Sequence, residues 1–212
     1  DDAAPVSLDA ALAEIQALIE RQDGRDRAEP ESVADFGRYE GLPPQVAFLE
    51  DGRFMQLLSP LTYVRPDGSA WPVPSDIRID GASIPRAFWT LIGGPFEGRY
   101  RNASIVHDHY CDRMTRPWQD THRMFHEAMR CSGVAAVRAG IMFYAVHRFG
   151  PRWDIRTGIG VESAVPPPPR AGDADALSIL ADARRIIAGN PGLPEIEALS
   201  DARRAEAGGR GP

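Results

Sequence analysis

The chain is an α+β protein by sequence, a small antiparallel β-meander packed against a three-helix core with helical extensions at both ends, and three observations carry that expectation. Between residues 46 and 79, short β-type runs alternate with turn signals. From 101 to 149, three segments with helical periodicity follow one another closely. At either end, Leu8 to Ile19 and Leu177 to Ile187 repeat apolar residues at helical spacing beside proline-rich stretches.

Taken in order, Ser7 suits the cap of a helix to Arg21, with Leu8, Leu12, Ile15, Leu18 and Ile19 on one face. Gln22 to Pro44 is polar, carries Pro30, Pro43 and Pro44, and reads as a linker or extended arm. Asp51-Gly52 and Pro66-Asp67-Gly68 punctuate the meander as turns. Ser83 and Pro85 suit the start of a short helix to Leu91, followed by a Gly93-Gly94-Pro95 loop. Three helices are then expected, from Arg101 to Met114, Pro117 to Cys131 and Val134 to Phe149. The last is apolar nearly all round, which predicts the buried central helix. Pro166 to Pro169 make a stiff spacer, and helices follow over Asp173–Ala188 and Pro194–Ala207, the first ended by Gly189-Asn190-Pro191. The expected organisation is an N-terminal helix and arm over 1–45, a core over 46–155, and a spacer with helical tail over 156–212.

Composition narrows the chemistry. A formal net charge of −6 over 212 residues is the wrong sign for a nucleic-acid footprint. All 24 basic residues are arginine, which removes Schiff-base lysine chemistry and the phosphate-loop lysine. No run approaches the roughly 18–20 apolar residues of a membrane-crossing helix, so contact with a bilayer would be peripheral. The chain starts at Asp1 rather than Met, and the expectation is a trimmed leader with a periplasmic or secreted location open. Cys111 and Cys131 fall late in successive helices, at opposite ends of a hairpin, and are expected as free thiols.

Four of the five histidines lie between His107 and His126, beside Asp108, Cys111 and Asp120. At about 100° per residue, His107 shares the inward face of its helix with Ala103, Val106 and Tyr110, and His122 shares one with Trp118 and Phe125. An antiparallel hairpin closed at Thr115-Arg116-Pro117 levels His107 with His126 and Cys111 with His122. His107, Cys111, His122 and His126 then offer three nitrogens and a sulfur to a tetrahedral divalent metal. The alternative chemistry is a general base at His107, oriented by Asp120 or His122, with Asp108 holding a cation or the attacking water. A Cys111–His122 nucleophile pair is a third arrangement. Against all of these stands a buried polar lock, since core-facing imidazoles are more often hydrogen-bonded packing residues than ligands. His109 and His147 are expected to be solvated or structural. Arg86, Arg99 and Arg101, beside the glycine-rich loop, can bind an anionic group or remain solvated charges.

The run from Trp71 to Cys111, followed by Thr121-His122-Arg123-Met124-Phe125-His126 and by Ile141 to Gly150, resembles the bacterial and phage family of domain of unknown function 1353, over roughly residues 48–153. The resemblance implies a Gly-Ala-Ser-hydrophobic-Pro turn, here residues 81–85, then a His-Asp pair, here His107-Asp108. Where the family pattern has Tyr four residues after the His, this chain has Cys111. Where it has Asp three before a Phe, this chain has His122. The His-Asp-x-x-Tyr arrangement is in turn similar to the helix motif of secreted phospholipases A2, in which the Asp holds calcium near a glycine-rich loop; Gly93, Gly94 and Gly98 would stand for that loop. The function expected is hydrolase-like, centred on His107, Asp108 and His122 with a divalent ion, Zn or Ca. The competing expectation is a non-catalytic accessory subunit that docks into a larger envelope or phage-derived assembly through helices 8–19 and 177–187.

Overall fold

Proline and glycine placement divides the β region into two sheets rather than one meander. The computed structural model describes residues 8–28, 32–49, 54–79, 98–155, 164–165 and 173–208. The Ser7 cap, the Asp51-Gly52 turn, the 81–85 turn, the helix expected over 85–91 with Arg86, the Gly93-Gly94-Pro95 loop and the 166–169 spacer lie outside the described residues. The strands are β1 (Arg38–Glu40), β2 (Val46–Phe48), β3 (Met55–Leu57), β4 (Leu61–Val64), β5 (Ala70–Val73) and β6 (Ile77–Ile79). One antiparallel sheet has the order β1-β4-β5, the other β2-β3-β6. Leu58-Ser59-Pro60 separates β3 from β4, and Pro60, which has no N–H to donate, marks the point where the chain changes sheet. The Pro66-Asp67-Gly68 turn forms as expected, with Gly68 at φ +86° and Val64 opposite Ala70.

The polar stretch 22–44 is not a linker. Helix α1 (Leu8–Ala28) runs seven residues past Arg21, a 3₁₀ turn occupies Val33–Phe36, and β1 forms a sheet edge. Gly37 and Gly41 bracket β1 at φ +92° and +90°, and a Cβ on them would lie 2.2 Å from the Val64 carbonyl and 2.3 Å from that of Pro60. Only glycine lets the strand settle that closely on β4. Tyr39 points inward from β1, its hydroxyl donating to the Ala128 carbonyl at 2.9 Å.

Helices α2 (Arg101–Arg113), α3 (Trp118–Cys131) and α4 (Ala136–Phe149) form the expected three-helix core. In α4, Ile141 to Val146 are all fully buried. A helix apolar on every side must be covered on every side. The cover comes from α3, from α1 and from the tail, α5 (Asp173–Gly189) and α6 (Leu193–Gly208). Ile15 and Ile19 of α1, Ile179, Leu180, Ala183 and Ile186 of α5, and Ile196 of α6 belong to the same buried cluster as the core. Gly140 permits the approach, because a Cβ there would stand 3.3 Å from Ile196 and 3.4 Å from Ile186. Among the described side chains of the two helices expected to dock on a partner, Ile15, Ile19, Ile179, Leu180 and Ile186 are buried in the chain's own core. A two-residue pair, β7 (Arg152–Trp153) with β8 (Ala164–Val165), follows α4. The α+β class holds.

The tail is locked by a buried acid. Asp182 is fully buried and accepts from the Tyr144 hydroxyl at 2.5 Å, from Arg203 at 3.0 Å, and from Arg148 at 3.5 Å. His147 completes the contact with α6 through Ser200 at 2.9 Å. Removing one member of a buried ionic cluster strands its partners. Asp182→Ala is expected to lower unfolding free energy by about 3–5 kcal/mol in denaturant titrations, whereas Glu206→Ala, which removes only Arg203's exposed partner, should change it by less than about 1 kcal/mol.

Candidate histidine–cysteine site

The α2–α3 hairpin sets the geometry. Helix α2 ends with Met114 in the left-handed region at φ 53°, its N–H returning to the Tyr110 carbonyl at 2.9 Å. Pro117 opens α3, where a missing N–H costs nothing. Two contacts hold the turn between them: Arg116 donates to the Ala70 carbonyl and the Trp153 indole donates to the Arg116 carbonyl, each at 2.6 Å.

Across this hairpin His107 Nε2 lies 2.8 Å from His122 Nδ1. Cys111 Sγ lies 3.5 Å from His107 Nε2 and 3.9 Å from its Nδ1, so the sulfur sits alongside the ring between its two nitrogens. His122 Nε2 is 3.2 Å from the Pro151 carbonyl oxygen. That carbonyl assigns the protons. It can only accept, so His122 Nε2 carries hydrogen; a neutral His122 then offers a bare Nδ1, and His107 Nε2 must be the donor across the pair. The rings form a directed chain from His107 to His122 to Pro151, leaving His107 Nδ1 without hydrogen beside the Cys111 thiol.

The enclosure keeps these rings neutral. His107 and His122 are both 0% exposed and Cys111 is 5% exposed. His107 stacks on Phe125 at 4.4 Å, and Trp118 and Trp153 lie 5.6 and 6.2 Å from His122. Loss of hydration pushes His107 down to about 3. His122 falls well below its ordinary value, first by burial and then by repulsion from His107, His147 and Arg152, against which the Pro151 hydrogen bond acts. His147 is pushed down to about 4 by burial and then by Arg152.

Of the residues expected to converge, His107, Cys111 and His122 do; each offers one ligand atom, and the three atoms lie within 4.8 Å of one another. His126 does not join them. Four residues advance a helix by about 400°, so His126 sits some 40° round from His122, packed edge-on against Phe143 of α4 at 5.9 Å. Asp120 does not orient His107 either, because it pairs with Arg65 at 2.7 Å. Asp108 is buried next along α2 but is not among the three converging donors. His147, expected to be solvated or structural, is buried and bonded to Ser200. The sequence carried no signal for the Pro151 carbonyl, a backbone group, nor for Gly150, where a Cβ would stand 3.3 Å from His122 Cε1. Cys111 and His122, where the sequence resemblance implied Tyr and Asp, both lie against His107.

The donor set fits a metal after a small adjustment. Bond lengths of about 2.0 Å to nitrogen and 2.3 Å to sulfur place tetrahedral ligand atoms roughly 3.3 Å apart for two nitrogens and 3.5 Å for nitrogen and sulfur. The sulfur–nitrogen spacing of 3.5 Å already matches, and the imidazole pair at 2.8 Å would have to open by about half an ångström. The hydrogen bond from His122 Nε2 to Pro151 leaves Nδ1 as the available lone pair, the outer support usual for a histidine ligand.

The family model described as "Protein of unknown function (DUF1353)" matches residues 55–146. The uncharacterized protein y4jT of Sinorhizobium fredii is 40% identical over 146 residues, 68% of this chain and 44% of that protein. The uncharacterized protein y4iH of the same organism is 44% identical over 91 residues, 43% of this chain and 38% of that protein. The chain thus spans less than half the length of these relatives. No solved structure matches it. The stretch that matches the DUF1353 family model, residues 55–146, holds His107, Cys111 and His122.

Proposed function

We propose that this is a hydrolase-like protein whose centre is the His107–Cys111–His122 cluster holding one zinc-class ion. The observation that carries the proposal is the convergence of two imidazole nitrogens and a thiol within 4.8 Å of one another. Such a nitrogen and sulfur set suits zinc; calcium takes six or more oxygens and finds no such shell in it. Three protein donors and an open fourth position are the arrangement in which bound zinc supplies an acidified water for attack on a carbonyl or phosphoryl centre. The chain's own groups have separate tasks. An ion held here would be bound by His122 Nδ1, whose far side Pro151 supports, by His107 Nε2 with its proton on Nδ1 instead, and by Cys111 as a thiolate, its proton released to solvent on binding. Asp108, the next residue on α2, stands outside the three converging donors and would serve the cation or the attacking water only from beyond them.

Protein dialysed against zinc should retain about one equivalent by elemental analysis. His122→Ala and Cys111→Ser should lose it, while His126→Ala should keep it. Cobalt substitution should give the visible absorption of a thiolate-bound tetrahedral ion in the unaltered protein only, and hydrolysis of simple p-nitrophenyl esters or phosphates should follow metal content. Absence of retained zinc at neutral pH would refute the metal centre.

A second function, as a non-catalytic accessory subunit with the cluster acting as a polar lock, has its own supporting observation: both imidazoles are completely buried and serve each other's hydrogen bonding. Docking by helices 8–19 and 177–187 would have to leave Ile15, Ile19, Ile179, Leu180 and Ile186 in the core or draw them out of it. The lock makes a pH prediction. Above about pH 7 both folded and unfolded histidines are neutral and stability is flat. As pH falls below 6.5 the unfolded chain takes up protons that the folded His107, at about 3, and His147, at about 4, refuse, so stability falls, by up to about 1.4 kcal/mol per pH unit for each such ring. Denaturant titrations of chelator-treated protein from pH 8 to pH 4 should show that plateau and decline. An unchanged midpoint down to pH 5 would show that the rings are not held neutral.

A further inference from the structure

Away from His107 and His122, a cleft of about 440 Å³ opens between the β1–β2 connection and the far end of the α2–α3 hairpin. Its volume falls within the range of small-molecule sites, which combine apolar walls with a few converging polar groups. One wall here is apolar, with Leu42, Pro43 and Val46. The facing wall carries Arg99, Arg101 and Asn102. Among the described residues no carboxylate lines the cleft, although the chain has 30 acidic residues against 24 basic ones.

Arg99 is held in place rather than left to sweep through solvent. Its Nη1 donates to the Gly133 carbonyl at 3.2 Å, and Gly133 takes φ +74°, where a Cβ would stand 3.1 Å from that nitrogen. Arg101 begins α2, whose first turn contains no acidic residue, so the positive end of the helix dipole adds to the two guanidinium charges. A guanidinium fork is the side chain best matched to a carboxylate or phosphate.

We propose that this cleft is a binding site for a small organic anion, a carboxylate or phosphate carried on an apolar body, with Arg99 and Arg101 taking the head group and Leu42, Pro43 and Val46 the body. The site is separate from the histidine–cysteine cluster and stands whether or not that cluster holds metal.

Cys131 also lines the cleft and is partly exposed, whereas the other thiol, Cys111, is buried. Alkylation by iodoacetamide, read peptide by peptide, thus reports occupancy at Cys131 and uses Cys111 to detect unfolding. Octanoate and octyl phosphate should each slow Cys131 modification saturably without altering Cys111, and octylamine should not. In Arg99→Gln/Arg101→Gln the half-protecting concentration should rise at least about tenfold. Protection by octylamine equal to that by octanoate, protection by inorganic phosphate equal to that by octyl phosphate, an unchanged concentration in the double variant, or no protection by either anionic probe would each overturn the assignment.

Discussion

Two imidazoles sealed between α2 and α3 have to remain uncharged and to satisfy each other, and the arrangement of the hairpin follows from that constraint. A protonated ring with no anion nearby would be expelled from such an interior. Neutral rings can stay only if each nitrogen that carries hydrogen finds an acceptor. The Pro151 carbonyl ends the chain of donors and so orders it, making His122 the acceptor and His107 the donor. Residues as ordinary as Gly150 and Pro151 acquire a role because the backbone after α4 must approach His122 closely.

The same problem is solved differently at the other end of the molecule. Around Asp182 the charge is retained and surrounded by Arg203, Arg148 and the Tyr144 hydroxyl. This cluster joins α4 to α5 and α6, while burial of Ile15, Ile19, Ile186 and Ile196 in one cluster adds α1. Helices that look like appendages in sequence are the cover that an all-apolar α4 requires, since a helix without a polar face is stable only where neighbours exclude water from all of it.

One geometry serves both functions considered for the cluster, and the positions of two protons distinguish them. With hydrogen on His107 Nε2 the site is a closed hydrogen-bonded lock. With that proton on Nδ1 and the Cys111 thiol ionised, the same three atoms become an inward-facing ligand set. Cys111 and His122 surround His107 with sulfur and nitrogen donors, a set that favours zinc-class metals over oxygen-seeking ones. Catalysis places a further demand, a route for substrate to a centre whose two rings have no exposed surface.

Local pattern alone determined the α+β class, the three core helices to within two residues at each end, the Pro66-Asp67-Gly68 turn, and the inward direction of His107 and His122, because helical period and turn chemistry act over a few residues. Tertiary structure alone decided the rest. It turned the polar segment before residue 45 into a sheet edge, since β1 is stabilised by backbone bonds to β4 and by two glycines whose need is visible only beside their neighbours. It sent Asp120 outward to Arg65 and His126 toward Phe143, because the rotation of α3 places its flank against α4. It also buried Ile15, Ile19, Ile179 and Ile186 of the terminal helices in the chain's own core, since an amphipathic pattern specifies that a face must be buried but not against what.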